Sequence, residues 1–127
     1  MASEKKWNVL FIKDDRSGFD AGTPAFEKLF NSVDVVQDKA SVLKLFGERT
    51  YEIVIGDLSV EPEAAGLLKQ LKDMKKTQAI FAMVSPKDTD KLFGIADLGI
   101  HAFELTPEHF DLALEQIAQF DPFAQQP

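Results

Sequence analysis

The sequence predicts an α/β fold built on a parallel sheet. Three observations carry that expectation. Five short apolar runs of strand length recur along the chain, each followed by a segment with helical spacing. The runs lack strict polar alternation, as strands covered on both faces do. The chain has 127 residues, the size of one domain, and 45% hydrophobic against 28% charged residues supplies a single core. Alternation at this spacing implies right-handed crossovers, with helices on both faces of the sheet.

"WNVLFI", residues 7–12, is the first strand candidate and stops at "KDD". "TPAFEKLFNS" follows, with Thr23 as N-cap, Pro24 at the first helical position, and Phe26, Leu29 and Phe30 on one face. "VDVVQ", residues 33–37, is the second strand; "KASVLKLFGER" is the next helix, with Ser41 as candidate cap and Gly47 near its end. "YEIVIG", residues 51–56, is the third strand and leads into Asp57. "EAAGLLKQLKDMKK" places Leu67, Leu68, Leu71 and Met74 on one stripe, with lysines outside. "QAIFAMVS", residues 78–85, is the fourth strand, and "DTDKLFGIADLG" a short helix stopped at Gly99. "GIHAFEL", residues 99–105, is a weaker fifth strand. "TPEHFDLALEQIAQF" repeats the Thr-Pro start and spaces Phe110, Ala113, Leu114, Ile117 and Phe120 helically. The expected domain covers residues 7–120, and "DPFAQQP", residues 121–127, reads as a flexible tail or the start of a linker.

Composition excludes several classes. The formal net charge is −7, from 21 acids against 14 bases, which disfavours nucleic-acid binding by this domain. Lys69, Lys72, Lys75 and Lys76, the densest basic group, fit the solvent face of one helix. No run approaches the roughly 18 apolar residues of a membrane span. "MASEKKW" is charged and then enters a strand, unlike a signal peptide. The chain has no cysteine, hence no disulfide, thiolate metal site or thiol nucleophile, and a cytoplasmic protein is expected. His101 and His109 lie on separate elements without acidic or cysteine partners at ligand spacing and are expected at the surface.

Parallel sheets place their sites beyond the carboxyl ends of the strands, where strand order reverses. Asp57 at the end of strand three and Asp14 and Asp15 after strand one are expected to meet there, with Ser85 and Thr106 closing strands four and five along the same edge. Carboxylates gathered at one rim repel unless a cation joins them. Mg²⁺ suits this, taking oxygen ligands from one or two carboxylates with water and phosphate oxygens.

This ordered set resembles the receiver domain of two-component response regulators, over roughly residues 7–120. "FIKDD" resembles the acidic motif after strand one, and "IVIGDL" the strand carrying the phosphoacceptor aspartate. "MVSP" resembles the strand with the switch hydroxyl, and "LGIHAFELTP" the segment that ends in Lys-Pro. The resemblance implies a flavodoxin-like (βα)5 fold with strand order 2-1-3-4-5. It implies that Asp57 accepts a phosphoryl group from a histidine kinase or phosphotransfer protein, with Mg²⁺ held by Asp14, Asp15 and Asp57. Ser85 would then bond the phosphate and Phe103 turn inward, altering the face offered to a downstream protein or output domain. A homodimer through that face is compatible with the resemblance. Beyond its own phosphorylation and dephosphorylation, such a domain is no enzyme.

The chain also departs from the family. Aligned without a gap, Lys13 stands at the first acid of the motif and Asp14 at the second; an inserted residue would make Asp14-Asp15 the pair. Thr106 stands before Pro107, where the family has Lys. Pro62 and Gly66 each fall one residue late. Lys13 is therefore expected to bring to the acidic crevice the positive charge missing at Thr106. These departures suit an alternative, a degenerate receiver that docks proteins without phosphorylation. A small flavodoxin-like enzyme is the third reading, against which stand the absence of GxGxxG, of GxxxxGK[ST] and of a nucleophile–His pair.

Overall fold

The computed structural model describes residues 7–13, 24–57, 64–76, 78–84, 100–104 and 106–119. The elements run β1 (Asn8–Ile12), α1 (Pro24–Leu29), β2 (Ser32–Val36), α2 (Lys39–Glu48), β3 (Ile53–Asp57), α3 (Ala64–Met74), β4 (Ala79–Val84), β5 (His101–Glu104), a 3₁₀ turn (Pro107–His109) and α4 (Phe110–Gln119). The expected helix at residues 88–99 and the tail at residues 121–127 lie outside the described residues.

All four strand pairings are parallel, and the order is β2-β1-β3-β4-β5. This is the fold class expected from the sequence. The strands read as continuous apolar runs because alternate side chains enter two different cores. Val9, Phe11, Ile53, Ile55, Phe81 and Met83 pack with Phe26 of α1 and with Phe110, Leu114 and Ile117 of α4. Leu10, Ile12, Val54, Ile80, Ala82 and Val84 pack on the other face with Val42 of α2 and with Leu67, Leu68 and Leu71 of α3. β3 and β4 are buried at every position.

An aromatic cluster ties α1 and α4 to the sheet. The ring of Phe11 lies 5.4 Å from Phe26 and 5.7 Å from Phe110, and Phe26 meets Phe110 edge-on at 5.7 Å. Such contacts add about 0.5–1.5 kcal/mol per pair beyond burial alone.

Four local expectations change. The cap of α2 is Asp38: its carboxylate accepts from the Ser41 backbone N–H at 2.9 Å, so Ser41 is the third helical residue. Met74 continues the stripe of α3 in sequence but, at the last position of the helix, is 52% exposed. Lys72 does not join Lys69, Lys75 and Lys76 at the surface; it is half-buried and its Nζ donates to the Gln78 carbonyl at 2.8 Å. Gly56 does not end β3. The strand continues through Asp57, and Gly56 is small because Leu68 of α3 packs against it: a β carbon there would lie 2.9 Å from Leu68 Cδ2.

Candidate functional site

β3 carries Asp57 at its last position. The residue is 2% exposed, and with Gln78 it makes up the buried polar and charged residues of the described chain. A carboxylate in that environment is costly unless something compensates it, so its placement at the carboxyl edge is chemically informative.

The sheet register sets its neighbours. Asp57 pairs with Met83 of β4, and Met83 pairs with Phe103 of β5, so these residues form one row across the sheet. On the other side Ile12 of β1 pairs with Gly56, which puts Lys13 one rung further along, level with Asp57. Lys13 is half-buried, and its backbone N–H donates to the Val36 carbonyl at 3.1 Å, extending the β1–β2 ladder by one bond. Residues on one rung of a parallel pair share a face, so Lys13, Asp57 and Met83 continue the face that buries Phe11 and Ile55. β1 lies between β2 and β3, and chain direction across the sheet reverses there. Lys13 and Asp57 therefore flank the switch point at which such sheets bind ligands.

Thr106 follows β5 and is half-buried. The expected helix start at Thr106-Pro107 is a 3₁₀ turn: the His109 N–H donates to the Thr106 carbonyl at 3.0 Å, and Thr106 Oγ1 shares a 2.9 Å hydrogen bond with His109 Nδ1. A hydrogen bond from the Thr106 hydroxyl also holds the Glu108 carboxyl below its usual range. The hydroxyl is thus committed to its own turn. His109 is exposed, as expected for a surface histidine. His101 is exposed as well, yet its ring stacks on Phe81 at 5.0 Å, and partial burial together with the charge of Lys72 pushes its pKa down.

Of the other residues expected here, Asp14, Asp15 and Ser85 lie outside the described residues, although Val84 brings β4 buried to the position before Ser85. Phe103 is in β5, in the row of Asp57. The described residues contain no cluster of three His, Cys, Asp or Glu side chains able to hold a metal. Asp57 brings a carboxylate to the switch point, a donor type that fits Mg²⁺. Among the described residues no helix is long and apolar enough to cross a membrane.

Sequence reasoning missed Gln78, buried to the same extent as Asp57 at the head of β4. A single polar residue opening an apolar run leaves no periodic signal.

Solved structures decide the fold. The signal receiver domain of a two-component response regulator from Bacteroides fragilis superposes with a TM-score of 0.69, covering 90% of this chain and 98% of that one at 15% identity. The fold is that of a receiver domain. A response regulator receiver domain protein from Clostridium thermocellum matches with a TM-score of 0.65 at 17% identity, over 87% of this chain and 93% of that one. NtrX from Brucella abortus, solved in complex with ADP, has a TM-score of 0.69 at 13% identity; it covers 89% of this chain, which spans 27% of NtrX. No family model and no curated protein matches the sequence. The receiver fold is thus carried by three-dimensional likeness, at identities where the site must be argued from its own residues.

Proposed function

We propose that this chain is a two-component receiver module that accepts a phosphoryl group on Asp57 from a histidine kinase or phosphotransfer protein and switches a protein-docking surface. The observation that carries the reading is the buried Asp57 closing β3 at the switch point of a 2-1-3-4-5 sheet. An Asp57 carboxylate oxygen attacks phosphorus in line. The bond from phosphorus to the donor nitrogen breaks, the nitrogen keeps the electron pair, and an acyl phosphate forms on Asp57. Asp14 and Asp15 would join Asp57 in holding Mg²⁺, which neutralises charge on the phosphoryl oxygens when bound. Ser85, following Val84, would donate its hydroxyl to the new phosphate. The added charge of about −1.5 to −2 arrives in the row that contains Met83 and Phe103, which offers a route to the surface beside β5.

Thr106 supports a second reading. Its hydroxyl is engaged by His109 and it has no cation to offer the site, which suits a degenerate receiver that docks a partner through its helices without phosphorylation. The two readings separate on intact mass after incubation with Mg²⁺ and a small phosphodonor. The first requires an adduct of one phosphoryl group in the wild type that disappears in Asp57→Asn. The second requires no adduct and no Mg²⁺ binding.

A further inference from the structure

Lys72 departs from the solvent face that its spacing predicts. Lys69, Lys75 and Lys76 are exposed, whereas Lys72 is half-buried. Its Nζ donates to the Gln78 carbonyl at 2.8 Å, tying the last turn of α3 to the residue that precedes β4. No carboxylate among the described residues pairs with it. A carbonyl accepts from a neutral amine as well as from an ammonium, so this bond leaves the charge state open.

Burial without a counter-ion works against the charged form of an amine. Desolvation accordingly pulls the Lys72 pKa below its ordinary value. The charge of Lys72 in turn helps push down the pKa of His101, so these two basic groups of α3 and β5 are within electrostatic reach of each other. Lys69 lies one turn back on α3, and Lys75 and Lys76 follow its end, so like charge gathers along this stretch. Desolvation beside other cationic groups is the environment that makes a lysine nucleophilic. The same cations select the electrophile. They attract one that is itself anionic and that releases an anion.

We propose that Lys72 is an acylation site, taking acyl groups from small acyl phosphates. The neutral Nζ attacks the acyl carbon, and the bond from that carbon to the phosphate oxygen breaks. Phosphate leaves with the electron pair, and the surplus proton on nitrogen passes to water. The product is an uncharged amide that removes one positive charge from the neighbourhood of His101 and retains an N–H for the Gln78 carbonyl. The site is independent of Asp57 and of the phosphoacceptor reading.

The test treats the full chain with acetyl phosphate at pH 7 and follows acetyl and phosphoryl masses peptide by peptide. An acetyl group on Lys72 is thereby separate from any phosphoryl group on Asp57. The proposal requires Lys72 to be acetylated at least about threefold faster than Lys69, Lys75 or Lys76. That preference must shrink as the pH approaches about 10, where exposed lysines also lose their protons. Titration of the lysine ¹³Cε signals by NMR, which needs no variant, must show Lys72 deprotonating at lower pH than those three. Acetylation of Lys72 no faster than theirs, a preference undiminished near pH ~10, or titration of Lys72 together with the exposed lysines overturns the proposal.

Discussion

Leu68 of α3 packs on the backbone of Gly56 so closely that a β carbon there would meet its Cδ2 at 2.9 Å and its Cδ1 at 3.2 Å. Leu68 is 1% exposed, so making room for a β carbon means shifting its side chain within the core. Gly56→Ala therefore forces an overpacked contact one residue before Asp57, at a cost of about 1–3 kcal/mol. Chemical denaturation is expected to show a lower midpoint with unchanged slope. A variant as stable as the wild type would mean that α3 yields at no cost.

Tyr51 donates its hydroxyl to Asp34 Oδ2 at 2.6 Å, and Arg49 approaches the same oxygen at 3.0 Å. Burial, with the bond to Asp34 and its negative charge, pushes the Tyr51 pKa up to about 12. The unfolded value is about 10, so the protonated phenol contributes fully below pH ~10 and its contribution is lost as pH rises through about 12. That contribution is about 2 kcal/mol. Unfolding free energies measured from pH 8 to 12 are expected to fall more steeply for the wild type than for Tyr51→Phe. Parallel curves would contradict the assignment.

Phe110 closes the aromatic cluster from the α4 side, 2% exposed and in ring contact with both Phe11 and Phe26. Phe110→Ala is expected to cost about 3–5 kcal/mol, read as a drop in the denaturation midpoint. Leu112→Ala on the same helix is expected to change stability by less than about 0.5 kcal/mol, because Leu112 is 57% exposed.

Lys13 stands one rung beyond the Ile12–Gly56 pair and so level with Asp57. Opposite charges about 4 Å apart near a protein surface attract by roughly 4 kcal/mol before desolvation, enough for this ammonium to compete with a divalent cation. Removing it in Lys13→Ala is expected to tighten Mg²⁺ binding by about tenfold, equivalent to about 1.4 kcal/mol, measured by calorimetric titration. Unchanged affinity would remove Lys13 from the electrostatics of the site.

The sheet is legible in the sequence because both of its faces are covered. β3 and β4 are buried at every position, so residues 53–56 and 79–84 stand out as unbroken runs without a polar side chain, and their alternation with helical segments leaves little choice of topology. What escapes the sequence depends on contacts between distant residues. Asp38 and Ser41 are both good caps by type, and the extended backbone at Asp38 decides between them. Gly56 resembles a turn residue until Leu68 is placed on it. Met74 has the spacing of a core residue, but it closes α3 and is exposed. In the site, Asp57 is legible as the acid that ends an apolar run, and strand order places Lys13 beside it; the expected positions at Asp14, Asp15 and Ser85 lie outside the described residues. Gln78 left no trace in the pattern because its burial depends on the Glu52 carbonyl 26 residues away.

The central claim is chemical reactivity at Asp57, and the most direct measurement locates the phosphoryl group. Protein treated with Mg²⁺ and a small phosphodonor is digested and its peptides are weighed with and without hydroxylamine, which cleaves acyl phosphates. The account predicts one modified peptide, containing Asp57, that loses its phosphoryl group on hydroxylamine treatment and becomes the Asp57 hydroxamate. A modification elsewhere, or none under conditions where Mg²⁺ binds, would contradict it.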